Sequence, residues 1–123
     1  MPEVIHSHKE LKVWQKSMDL VIETYKLTEK FPQREIYALA SQMRRAAVSI
    51  PSNIAEGRSR SSRKDFVHFN RIAYGSLTEL ETQLLIAKRL LFINEKDCNE
   101  ALSLVTEVSK MLHSMIRKLE ASA

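Results

Sequence analysis

Seven cations crowd into one short stretch of this chain. Residues 43–76, MRRAAVSIPSNIAEGRSRSSRKDFVHFNRIAYGS, hold Arg44, Arg45, Arg58, Arg60, Arg63, Lys64 and Arg71 against Glu56 and Asp65. Seven basic and two acidic residues give the stretch a net +5, while the rest of the chain has 12 basic and 13 acidic residues, a net −1. The overall charge of +4 is therefore a local feature. Six of the seven are arginine, whose planar guanidinium grips phosphate or carboxylate through two parallel hydrogen bonds. The chemistry such a cluster can do is anion recognition, with nucleic acid or an acidic protein surface as the partner.

Other reactive types are sparse. Arg63-Lys-Asp-Phe-Val-His68 reads R-x4-H and resembles the motif of the HEPN ribonucleases, in which Arg and His act on RNA phosphodiesters. An Arg followed by a His five to seven positions later arises about once by chance in a chain with nine Arg and four His. Lys64 also stands where that family commonly has a polar uncharged or acidic residue. His6 and His8 lie in a terminal segment and read as a solvated pair, not a metal site. Cys98 is the lone cysteine, near a helix start that can lower a thiol pKa, but no histidine is close in sequence. The chain lacks an H-E-x-x-H helix, a glycine-rich phosphate loop and the two Glu-x-x-His motifs of a di-iron bundle. It therefore reads as non-enzymatic, with no metal and no cofactor.

The elements that position these residues are helical. Two Gly and three Pro in 123 residues leave little material for tight turns. The length suits one domain over residues 1–123, and 44% hydrophobic with 28% charged residues is ordinary for a globular chain. Helical spacing of apolar residues marks four helices, at about 8–30, 34–56, 63–92 and 95–119. Ser7-x-x-Glu10, Ser62-x-x-Asp65 and Asn94-x-x-Asp97 mark three helix starts. Gly57 reads as the C-terminal cap of the second helix. Pro51 falls inside that helix, where a missing donor and a clash with the Ala47 carbonyl predict a kink or break. Short connections make neighbours antiparallel, so the expected fold is all-α, an up-down-up-down four-helix bundle. No apolar run is long enough to span a bilayer, and no signal peptide is evident. With a single cysteine, this places the chain in the cytoplasm.

Two features bear on partners. The third helix has a main apolar face, Phe66, Phe69, Ala73, Leu77, Leu80 and Leu84, and a second stripe of Ile72, Ile86, Leu90 and Ile93 with Glu79 embedded in it. A bundle helix needs one such face, so the second suggests another subunit; a wide core face is the alternative. Lys64 and Arg71 lie opposite the Phe66/Phe69 face, above Gly75, Thr78 and Thr82, and Arg58 and Arg60 sit in the adjoining linker. Arg44 and Arg45 are about three turns from the end of their helix and read equally as structural or as ligand-binding. Phe66, Phe69 and Tyr74 read as core residues. Candidate nucleic-acid contacts are thus Arg58, Arg60, Arg63, Lys64, Arg71, Arg44 and Arg45.

Longer runs carry a family resemblance. Leu11–Ser17 (LKVWQKS), Glu29–Pro32 (EKFP), Gln42–Arg60 (QMRRAAVSIPSNIAEGRSR) and Ala73–Leu84 (AYGSLTELETQL) together resemble the four-helix bundle proteins encoded in intervening sequences of bacterial 23S rRNA genes. The likeness spans roughly Leu11 to Ile93. It implies a bacterial, cytoplasmic bundle without known catalytic activity, often assembled as a pentameric ring. It is also similar to the accessory protein of diversity-generating retroelements, a basic pentamer that works with a reverse transcriptase and nucleic acid. In this chain Ser59 and Leu91 stand where family members commonly have glycines. The function expected from the whole is a non-enzymatic homo-oligomer that binds nucleic acid, RNA in the first instance. The alternatives are a protein-interaction scaffold and, behind it, the Arg63/His68 ribonuclease.

Overall fold

The computed structural model describes residues 7–121, and among them every regular element is helical. A 3-10 turn, His8–Glu10, leads into α1 (Lys12–Thr28); a second, Gln33–Glu35, precedes α2 (Leu39–Ser59), and α3 (Arg63–Arg89) and α4 (Glu95–Ala121) follow. Each helix packs on its sequence neighbours, and α1 against α4 closes the bundle.

The helix starts follow local chemistry. Ser62 Oγ accepts from the Asp65 backbone N–H at 3.0 Å, and Asn94 Oδ1 accepts from that of Asp97 at 2.7 Å. Each satisfies an N–H that the helix cannot pair internally. Ser7 caps as well, but it caps the short 3-10 turn, through Lys9 N–H at 3.1 Å. The long first helix begins four residues later than its spacing suggested, because Leu11 is extended. The second helix begins at Leu39 instead of 34: residues 33–38 form the 3-10 turn and a further bend, with Glu35 Oε1 reaching the Leu39 N–H at 3.4 Å.

The core is one continuous cluster. Leu20, Leu27, Met43, Ile50, Ile54, Leu77, Leu80, Leu84, Val108 and Leu112 are within 2% of full burial. Each such aliphatic side chain stabilises the fold by about 1.5–3 kcal/mol. Ile93, assigned above to the surplus stripe, belongs to this core at 5% exposure. The other three, Ile72, Ile86 and Leu90, are 40–54% exposed.

Two expectations for α2 change. Of the kink or break expected at Pro51, the break is excluded, since the helix runs unbroken through a buried Pro51 to Ser59. Asn53 Nδ2 bonds both the Ser49 carbonyl at 2.8 Å and Ser49 Oγ at 2.9 Å, bracing the turn around the proline. Nor does Gly57 cap the helix. It lies inside it, buried and without positive φ. A Cβ there would stand 2.8 Å from Phe69 Cβ, 3.1 Å from Phe66 Cδ1 and 3.2 Å from the Phe66 carbonyl oxygen. The missing side chain lets α3 cross α2 at close range.

The left-handed residue is elsewhere. Leu91 has φ 64°, and its neighbour Phe92 donates to the Ala87 carbonyl at 2.9 Å. That is a Schellman closure of α3 with leucine in the position glycine ordinarily takes.

Candidate nucleic-acid interface

Antiparallel packing redistributes the charge. The start of α1, the end of α2, the start of α3 and the end of α4 share one end of the bundle. Gly57 against Phe66 and Phe69 joins α2 to α3 there, and one groove is lined by Leu11, Lys12, Arg63, Lys110, Ser114 and Lys118. Dividing each helix at its midpoint puts residues 7–19, 50–76 and 108–121 in this half, with 11 basic and 5 acidic residues, a net +6. Residues 20–49 and 77–107 form the other half, with 8 basic and 9 acidic residues, a net −1. The molecule is electrically lopsided along its long axis.

The structure brings five of the seven sequence candidates to this end. Arg58 is half-buried on α2, which extends past it, so it is helical and not part of a linker. Arg60 pairs with Glu56 at 2.8 Å, and its guanidinium carbon lies 4.9 Å from the centre of the Phe69 ring. Arg63 lines the groove with Lys12 and Lys118. Lys64 is exposed at the first turn of α3. Arg71 is exposed and bridges to Glu120 of α4.

Arg44 and Arg45 lie in the other half. Arg44 Nε donates to Thr28 Oγ1 at 2.8 Å, and the guanidinium sits over the Tyr25 ring at 4.8 Å. It latches α2 to α1. Arg45 is exposed beside Tyr37 and Val48, in a groove of about 450 Å³ that Arg44 also lines.

Sequence reasoning missed the contribution of α4. Lys110, His113, Arg117 and Lys118 line an open groove of about 810 Å³ along its outer face, together with Ser109, Ser114 and Ala121. Their spacing of three, four and one is the signal that was present, since positions three and four apart share a helix face. Lys9 of the first 3-10 turn and Lys12 and Lys16 of α1 add further charge, and Lys16 meets Glu107 at 3.4 Å. Tyr74 packs against the core, as expected, but also reaches the surface. It is half-buried and lines two surface clefts, with Ser109 Oγ donating to its hydroxyl at 3.5 Å. Phe66 and Phe69 do pack inward, on Gly57.

Arg63 and His68, the R-x4-H pair, meet different surroundings on α3. Five residues along a helix is about 140° around it. Arg63 turns toward the α1–α4 groove, whereas exposed His68 stands edge-on to Phe69, 5.3 Å between centroids. His6 lies outside the described residues. Among those described, no three His, Cys, Asp or Glu residues group as a metal site. Cys98 is fully buried, its Sγ 3.7 Å from the Leu84 carbonyl oxygen. Burial pushes its thiol pKa up, more than Lys88 draws it down, so the helix N-terminus does not activate it. No helix is long and apolar enough to cross a membrane, among the described residues.

These observations define a helical bundle with a cationic end. The profile of the 23S rRNA-intervening sequence proteins matches residues 9–114. The chain belongs to that family. A solved protein of unknown function from the S23 ribosomal protein family of Bacteroides thetaiotaomicron is similar, at 27% identity and a TM-score of 0.79. The match covers 85% of this chain and 97% of that one. Comparison with curated proteins gives no match.

Proposed function

We propose that the protein is a non-enzymatic nucleic-acid-binding bundle, acting on RNA in the cytoplasm through its cationic end. One observation carries this reading: folding collects a net +6 in one half of the molecule and leaves −1 in the other. Lys64, Lys110 and Arg117 are exposed there and make no ion pair among the described residues, so their charge is available to phosphate. Binding of this kind releases counterions, and the logarithm of affinity falls with the logarithm of salt by about 0.7 per contacted phosphate of a single strand. Titration of labelled RNA at several salt concentrations tests it. Lys64→Ala, Lys110→Ala and Arg117→Ala should each lower the slope by about that amount. Arg45→Ala, at the other end, should leave it unchanged. An affinity that does not vary with salt would overturn the proposal.

The same reading includes self-association. Ile22, Tyr25, Tyr37 and Val48 of one flank and Ile72, Ile86 and Leu90 of another are each at least 40% exposed. Tyr37 reaches 93%. Apolar exposure on this scale favours a partner, here further copies of the chain, with the five-membered ring implied by the family resemblance as the working stoichiometry. A ring would repeat the cationic end and add avidity to weak phosphate contacts. Native mass measurement decides it; a monomer at micromolar concentration would reduce the proposal to a single-site binder. The scaffold alternative draws on the same exposed residues and predicts a protein partner, a reverse transcriptase among them, with no RNA bound.

A further inference from the structure

Between α3 and α4, at the cationic end, lies a narrow cleft lined by Arg71, Tyr74, His113, Ile116, Arg117 and Glu120. Its volume is about 190 Å³, below the roughly 300 Å³ at which pockets begin to enclose whole small-molecule ligands. Ile116, 6% exposed, gives it an apolar floor. The Tyr74 and His113 rings meet edge to face, centroids 5.6 Å apart and planes at 76°. Such a contact leaves most of the exposed His113 ring uncovered, so flat aromatic surface remains there for another π-system. The hydrogen bond from Ser109 holds Tyr74 from behind, and Glu120 holds Arg71 at the rim. His113 and Arg117 also line the long open groove on α4 that carries Lys110 and Lys118.

We infer that this cleft is a nucleobase slot, and that the ligand of the cationic end is single-stranded. The inference rests on the nucleic-acid reading above and specifies its mode. One unpaired base stacks on the exposed His113 ring, beside Tyr74 and over Ile116. The strand's phosphates then follow Lys110, Arg117 and Lys118 along α4. Aromatic rings interleaved with cations at this spacing are the usual means of holding single strands without reading sequence. A duplex keeps its bases paired and stacked, and delivering one to the slot would require flipping it out. Glu120 offers an acceptor to a base N–H at the rim, while its pairing with Arg71 limits its repulsion of phosphate.

Three probes of equal length test the slot: labelled oligouridine, an abasic oligonucleotide and an RNA duplex. Oligouridine should bind about ten-fold more tightly than the abasic strand, the amount one stacked base supplies. His113→Ala should erase that difference, and His113→Phe, which keeps a ring, should restore it. In NMR spectra, the His113 ring protons should shift with oligouridine and not with the abasic strand. Equal, salt-sensitive binding of oligouridine and the abasic strand would overturn the slot and leave the cationic interface standing. Preference for the duplex would do the same. Failure of all three probes to bind at low salt would instead overturn the nucleic-acid reading itself.

Discussion

Replacing Gly57 with alanine separates two accounts of this residue. In an unobstructed helix interior the change would stabilise by up to about 1 kcal/mol, because alanine is the better helix former. Here the added Cβ meets Phe69 Cβ at 2.8 Å and the Phe66 carbonyl oxygen at 3.2 Å. Carbon pairs prefer about 3.5–4.0 Å, so α2 and α3 must part by roughly 0.7–1.2 Å. Neither obstructing atom is the far end of a flexible chain; one is backbone and the other is bonded to it. Overpacking of this kind costs about 1–3 kcal/mol. Set against the propensity gain of about 1 kcal/mol, the net loss is up to about 2 kcal/mol. Urea unfolding followed by circular dichroism reads this as a lower midpoint with an unchanged slope. Gly75→Ala is the matched control: nothing lies within 4 Å of its Cβ position, so it should gain about 0.5–1 kcal/mol. If Gly57→Ala proved as stable as the parent, the close-crossing argument would fail.

Leu91→Gly should stabilise by about 1 kcal/mol, since glycine adopts the φ of 64° without strain; thermal unfolding would show the gain. Ser62→Ala and Asn94→Ala should each lose about 1 kcal/mol by removing the side-chain oxygen that caps α3 or α4, measured by the same melts. Cys98 holds its proton more tightly when folded, so its contribution to stability is intact below the unfolded thiol pKa of 9.0 and declines as pH rises above it. Cys98→Ala should flatten that alkaline decline in denaturation curves, and thiol reagents should label the native parent only as fast as it opens.

Helix existence and N-terminal caps were legible because their causes are local. Ser62 and Asn94 act on an N–H three residues away, and periodicity reports a buried face wherever the partner lies. Gly57 was misread because a glycine near a helix end has the same appearance whether it ends the helix or admits a neighbour. Ile93 was assigned to the surplus stripe because its angle was counted on a helix that in fact stops at Arg89; the left-handed Leu91 turns the chain and carries Ile93 inward. The Pro51 break failed because the buried contacts of α2 on both sides outweigh one lost hydrogen bond.

What the sequence alone determined is the bundle, its family and the presence of a cationic segment. Each follows from short-range pattern. Tertiary structure decided where the charge acts. The helices run antiparallel, so α4 returns Lys110, Arg117 and Lys118 to the end where α3 begins, although more than 40 residues of chain separate them from Lys64. The same geometry carries Arg44 and Arg45 toward the opposite end and turns Arg44 inward onto Thr28 and Tyr25. Electrostatic potential sums over distance in space, and only the packed helices set those distances.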